Sequence, residues 1–127
     1  MKQFWIALIL LTALGVVTPF GVPHAADKDG HYLLLGLGGD TCRQWAKARR
    51  IETPTVVEME SWLLGYLTAT NAWRANTGDV TGGLSSDKIF TWMDRYCKDH
   101  QDKRIGEAAR NLVHGLDELS GKRKLGK

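Results

Sequence analysis

The residues able to do chemistry are few and widely spaced. Cys42 and Cys97 are the two cysteines of the 127-residue chain. An even pair in a small exported chain reads as a disulfide. With no histidine pair beside them, they lack the ligand set of a zinc site. His31, His100 and His114 read as solvated helix or cap residues, with no carboxylate and open position set beside them. Ser61 has no G-x-S-x-G turn around it. Glu58 and Glu60 stand two residues apart, so on a helix they point to different faces and are not a glycosidase pair. Asp94, between Trp92 and Tyr96, reads as the ion-pair partner of Lys98. Gly36, Gly38 and Gly39 invite a phosphate-loop reading. They lack the Lys-Ser/Thr ending, and no third glycine completes the dinucleotide pattern. No catalytic residue, cofactor or metal is expected.

Aromatic and cationic residues remain. Trp45, Trp62, Tyr66, Trp73, Trp92 and Tyr96 are a heavy load for a small body and read mainly as core. Trp73 and Trp92 are the better candidates for partial exposure, where aromatic rings anchor partners. Arg43, Lys47 and Arg50 share one helix face and could attract an acidic partner. These five residues are the expected partner-binding set. Lys+Arg number 17 against 14 Asp+Glu. The excess is terminal, since Lys122, Arg123, Lys124 and Lys127 crowd the last residues. Without these four and Lys2 the body has 12 Lys+Arg against 14 Asp+Glu and is slightly acidic, which argues against a nucleic-acid partner. The basic end leaves room for weak contact with an anionic membrane surface.

The elements that must position these residues are helical. The first 26 residues have the order of a secretory signal. Lys2 precedes an apolar run from Phe4 to Val17, and Pro19, Gly21 and Pro23 break it ahead of His24-Ala25-Ala26. The run is shorter than the ~18 residues of a membrane span. Residues 27–40 form a lead-in, in which Tyr32–Leu35 is apolar enough for a short strand but no clear partner strand follows. A first helix starts at Asp40 or Thr41 and reaches about Arg50, with Cys42 and Trp45 on one face. A second starts at Thr53-Pro54 and carries two adjacent apolar rows, which predict a wide buried face. Gly65 in its middle suggests close approach of another helix. A third follows Ser85 or Ser86, with Ile89, Phe90, Met93, Tyr96 and Cys97 inward. A fourth begins near Asp102 and carries Ile105, Ala108, Ala109, Leu112, Val113, Leu116 and Leu119. The helical domain is thus expected over 41–119, with a basic disordered tail at 120–127. The fold class is all-α: a compact four-helix domain clamped by one disulfide. Helix two is expected inside the closed loop.

Cys42-x-x-Trp45, Trp62-x-x-Gly65-Tyr66-x-x-x-x-Asn71 and Trp92-x-Asp94-x-Tyr96-Cys97 form an ordered set. It resembles the small periplasmic proteins of the HdeA/HdeB acid-stress chaperone type, over roughly Leu34 to Leu116. Some secretion-system immunity proteins are similar in layout. The resemblance implies a periplasmic, non-enzymatic protein, with Cys42 and Cys97 as its bridge and no catalytic residue. It implies either an acid-activated chaperone for unfolded proteins or a module that blocks a specific protein partner. Every apolar stripe can be satisfied within one copy, so no oligomer is required.

Overall fold

The computed structural model describes residues 26–29, 31–74 and 78–125, with side chains described as far as Glu118. The segment 1–26, expected to be a signal peptide, lies, apart from Ala26, outside the described residues. The chain divides into two units, Met1–Tyr32 and Leu33–Lys127. In the first, Asp27 forms a local turn whose Oδ1 accepts the backbone N–H groups of Asp29 and His31.

The second unit is built of four helices: α1 (Cys42–Ile51), α2 (Pro54–Trp73), α3 (Ser86–Asp99) and α4 (Ile105–Leu125). No strand occurs among the described residues. Tyr32–Leu35 forms no strand, in keeping with the lack of a partner strand in the sequence. The Leu35 carbonyl instead accepts the indole Nε1–H of Trp62 at 2.8 Å. A 3₁₀ turn at Gly36–Gly39 follows. Its Gly38 lies flat under the Trp62 ring, where a Cβ would come within 1.9 Å of the indole.

Local chemistry explains the helix ends. Thr41 and Gln44 form a capping box at the start of α1. Glu52, at φ 47°, turns the chain left-handed after Ile51, and Pro54 occupies the first position of α2, where its missing N–H has no use. The backbone N–H of Arg104 donates to Glu107 at the start of α4. That start lies three residues beyond Asp102, because residues 101–105 form a backbone latch with the start of α1. Cys42 N–H donates to the Lys103 carbonyl (2.7 Å), Arg43 N–H to Gln101 (3.1 Å) and Ile105 N–H to Asp40 (2.8 Å). Two N–H groups left over at the first turn of α1 are thereby satisfied. At its other end α4 continues through Leu125, into the stretch expected as a disordered tail. Residues 119–125 contain no proline to stop the helix.

Cys42 and Cys97 are disulfide-bonded, with Cα atoms 4.7 Å apart. The bridge joins the start of α1 to the end of α3, as the sequence reading requires. The centre, however, is held by α1 and α4 rather than by α2. α1 and α4 each pack against the other three helices, and α2 and α3 each rest on that pair. Trp45 of α1, Met59 and Leu63 of α2, Met93 of α3, and Ile105 and Leu112 of α4 are fully buried. α2 sends one row inward, Met59, Leu63 and Leu67, while Trp62 and Tyr66 are half-buried. Its wide buried face is therefore narrower than expected. Gly65 faces open space, with nothing within 4 Å of a Cβ built there. The close approach falls at Gly106, where a Cβ would meet the Leu34 side chain at 2.4 Å.

Candidate functional site

Three surface regions of the helical unit carry polar or aromatic groups in defined geometry. The first is centred on Arg49. Its Nε and Nη2 donate to the two oxygens of Asp94 at 3.0 and 2.9 Å. Its Nη1 donates to Glu60 at 2.6 Å. The Trp45 indole also donates to Asp94, at 2.8 Å. The guanidinium lies 5.9 Å from the ring centres of both Trp45 and Phe90. Asp94 thus pairs with Arg49 across α1 and α3, not with Lys98 along α3. The planar fork matches both carboxylate oxygens, which a lysine one turn away would not do. The bond to Asp94 raises the Arg49 pKa further above its ordinary value, against the opposing effect of burial. Every acid in this cluster is engaged by a donor, so it fastens α1, α2 and α3 together. An open hollow of about 410 Å³ beside it is lined by Ala46, Arg50, Glu52 and Val56 together with Arg49 and Asp94.

The second region is the exposed side of α2. From Ser61 to Trp73 the helix carries no charged residue. Trp73 is 89% exposed, at one edge of that side, and Val57, 61% exposed, lies at the opposite edge, sixteen residues back along the helix. The Trp62 and Tyr66 rings stack along the helix at 5.7 Å. Just past Trp73 the Arg74 guanidinium forms a two-pronged pair with Asp117 of α4, with Nη1–Oδ1 at 2.7 Å. That pair holds the Asp117 carboxyl below the usual carboxylate range, chiefly through the hydrogen bond from Arg74. Asn71 accepts the Val80 backbone N–H at 2.7 Å and ties the following loop to α2.

The third region is a groove of about 410 Å³ between α3 and α4. Leu84, Trp92, Leu112 and Leu116 form its apolar lining, and Gly115 leaves its α4 side open. The Trp92 ring stacks on Tyr96 at 5.2 Å, and Tyr96 on His100 at 4.3 Å.

The five expected partner-binding residues are not brought into one patch by any of these hollows. Trp73 stands free on α2, and Trp92 borders the α3–α4 groove. Arg43, Lys47 and Arg50 are exposed on α1. Arg50 borders the hollow beside Arg49, while Lys47 borders a smaller one of about 230 Å³ with Ile51 and Met59. The sequence reading missed Arg49 as an organising residue. Its signal was present, because Arg49 follows Trp45 by four and Cys42 by seven, on the stripe that faces α3.

In the Met1–Tyr32 unit, ligand atoms of Asp27, Asp29 and His31 lie within 4.8 Å of one another. All three are exposed, and Asp29 pairs with Lys28 at 2.8 Å. Among the described residues no helix is long and apolar enough to cross a membrane. A scan against protein-family models finds no match for this chain. Searches of curated proteins and of solved structures find none either.

Proposed function

We propose that this chain is a non-enzymatic protein-binding module of an oxidising compartment, the periplasm, that engages a protein partner through the exposed side of α2. The observation that carries this reading is Trp73, 89% exposed at the end of a thirteen-residue stretch without charge. Covering an indole of that exposure removes roughly 200 Å² of mostly apolar surface, worth about 5 kcal/mol before the costs of association. A tryptophan presented in this way is the usual anchor of a protein interface. The disulfide suits a compartment where thiols stay oxidised. The ordered Cys, Trp and Gly-Tyr set shared in layout with HdeA/HdeB-type and immunity-type proteins supports the same class of role. The test is retention of a stoichiometric partner from periplasmic extract at neutral pH. The unaltered protein should retain it and Trp73→Ala should lose it. Equal retention by both would sink the reading.

A second, acid-activated chaperone-like reading is favoured by one observation. The pairs that fasten the helices, Arg49 with Asp94 and Glu60, and Arg74 with Asp117, all depend on ionised carboxylates. Acid neutralises those carboxylates and leaves the 16 Lys+Arg and 3 His that follow Ala26 positively charged. The resulting repulsion would loosen the bundle while the bridge keeps it compact. Light scattering of an aggregating client, at low and at neutral pH, tests this. Suppression confined to low pH supports it, and equal scattering with and without the protein at low pH removes it.

A further inference from the structure

We propose that the groove between α3 and α4 is a binding site for a single-chain anionic amphiphile, a free fatty-acid-type carboxylate. The lining supplies both halves of such a ligand's requirement. Leu84, Trp92, Leu112 and Leu116 present a continuous apolar floor, and its volume of about 410 Å³ falls within the ~300–1,000 Å³ of small-molecule sites. The rim is cationic: Lys88 and Arg95 border the groove from α3, with the Thr91 hydroxyl between them. Neither cation has an acidic partner among the described residues. Arg95 makes one long bond, 3.4 Å, to the Thr91 carbonyl. No carboxylate lines the groove among the described residues.

Lys88 and Arg95 are seven residues apart on α3, about 10.5 Å along the axis. Their long, flexible side chains can close over one head group above Thr91. A carboxylate held there is charge-matched, and its alkyl chain then lies on Trp92 and against α4. Gly115 decides how close the chain comes, since nothing occupies the space where its Cβ would be. A cationic head of the same size would be repelled by both rim residues. A ligand without the chain would gain only the rim. This site is separate from the exposed side of α2, so it stands or falls independently of the role proposed for Trp73.

The experiment is calorimetric titration of the full mature chain with micromolar dodecanoate, with Trp fluorescence as a parallel readout. Dodecyltrimethylammonium and butanoate are the comparison probes. Dodecanoate should bind one to one, and both comparison probes at least tenfold more weakly. Gly115→Leu fills the groove from a helix position that has room for a side chain, and it should weaken dodecanoate at least tenfold. Lys88→Glu with Arg95→Glu changes exposed residues without an ion pair to break, and should weaken it tenfold or more. That second variant decides the matter if the first folds poorly. Three outcomes overturn the proposal: no binding, binding that survives both changes, or equal affinity for the cationic amphiphile. A dimer that dissociates in Gly115→Leu would also overturn it, by showing that a second copy fills the groove.

Discussion

Reducing the Cys42–Cys97 bridge tests how this small fold is held. The two residues are 55 apart in sequence. In the chain-entropy account, a closed loop of that length removes about 4 kcal/mol of freedom from the unfolded chain. A domain of this size has roughly 5–15 kcal/mol in total, so the reduced protein should be only marginally stable. The backbone latch around Cys42, Lys103 and Ile105 does not replace the bridge. It exists only in the folded state and places no limit on the unfolded one. Urea unfolding followed by far-UV circular dichroism, with and without reductant, measures the difference. With a slope of ~1.5 kcal/mol/M, the midpoint should fall by about 2–3 M. The slope itself should rise, because the reduced chain expands and exposes more surface when it unfolds. A midpoint change below about 0.5 M with an unchanged slope would refute this reasoning. It would mean that the unfolded chain is already compact without the bridge.

Three further predictions concern glycines and acid. Gly65→Ala should stabilise the protein by about 0.5–1 kcal/mol in urea unfolding, since the position is helical and its Cβ meets nothing. Gly38→Ala should destabilise it by about 1–3 kcal/mol and shift Trp fluorescence, because the new Cβ must displace the Trp62 ring. The Asp117 carboxyl is depressed in the folded state. Its contribution is therefore present above the unfolded carboxylate value of about 3.9 and is lost as pH falls through the lower folded value. Asp117→Asn should flatten that part of the decline when urea midpoints are compared between about pH 5 and pH 2, and an unchanged acid limb would show that the pair with Arg74 does not hold the bundle.

Much of the α1–α3 register was legible once the bridge is accepted. Cys42 begins α1 and Cys97 nearly ends α3, so the two helices run antiparallel outward from the sulfurs. Three residues on from Cys42 is Trp45, and three back from Cys97 is Asp94. Seven on is Arg49, and seven back is Phe90. These four residues make the Asp94 hydrogen bonds and the ring contacts. The partner of Asp94 was misread because an i,i+4 neighbour on its own helix was preferred to a forked donor across the interface. The glycine roles were misread for a related reason. Sequence shows that a glycine can be approached closely but not which one is. Gly65 looked suited to a helix crossing, yet the approaches fall at Gly38 and Gly106.

By itself the sequence determined the four helices, the two ends of α1 and the start of α2, the cysteine pairing and most of the inward rows of α3 and α4. These follow from local rules: capping groups, proline at a first turn, and spacings of three and four that put apolar residues on one side. Which helix lies at the centre, and which aromatic rings reach solvent, came only from tertiary structure. α2 is apolar around much of its circumference, so periodicity could not choose its buried side. Packing did, by giving Met59, Leu63 and Leu67 to the core and leaving Trp73 in water. The α3–α4 groove likewise belongs to neither helix alone, because a cavity is set by how far apart two surfaces come to rest.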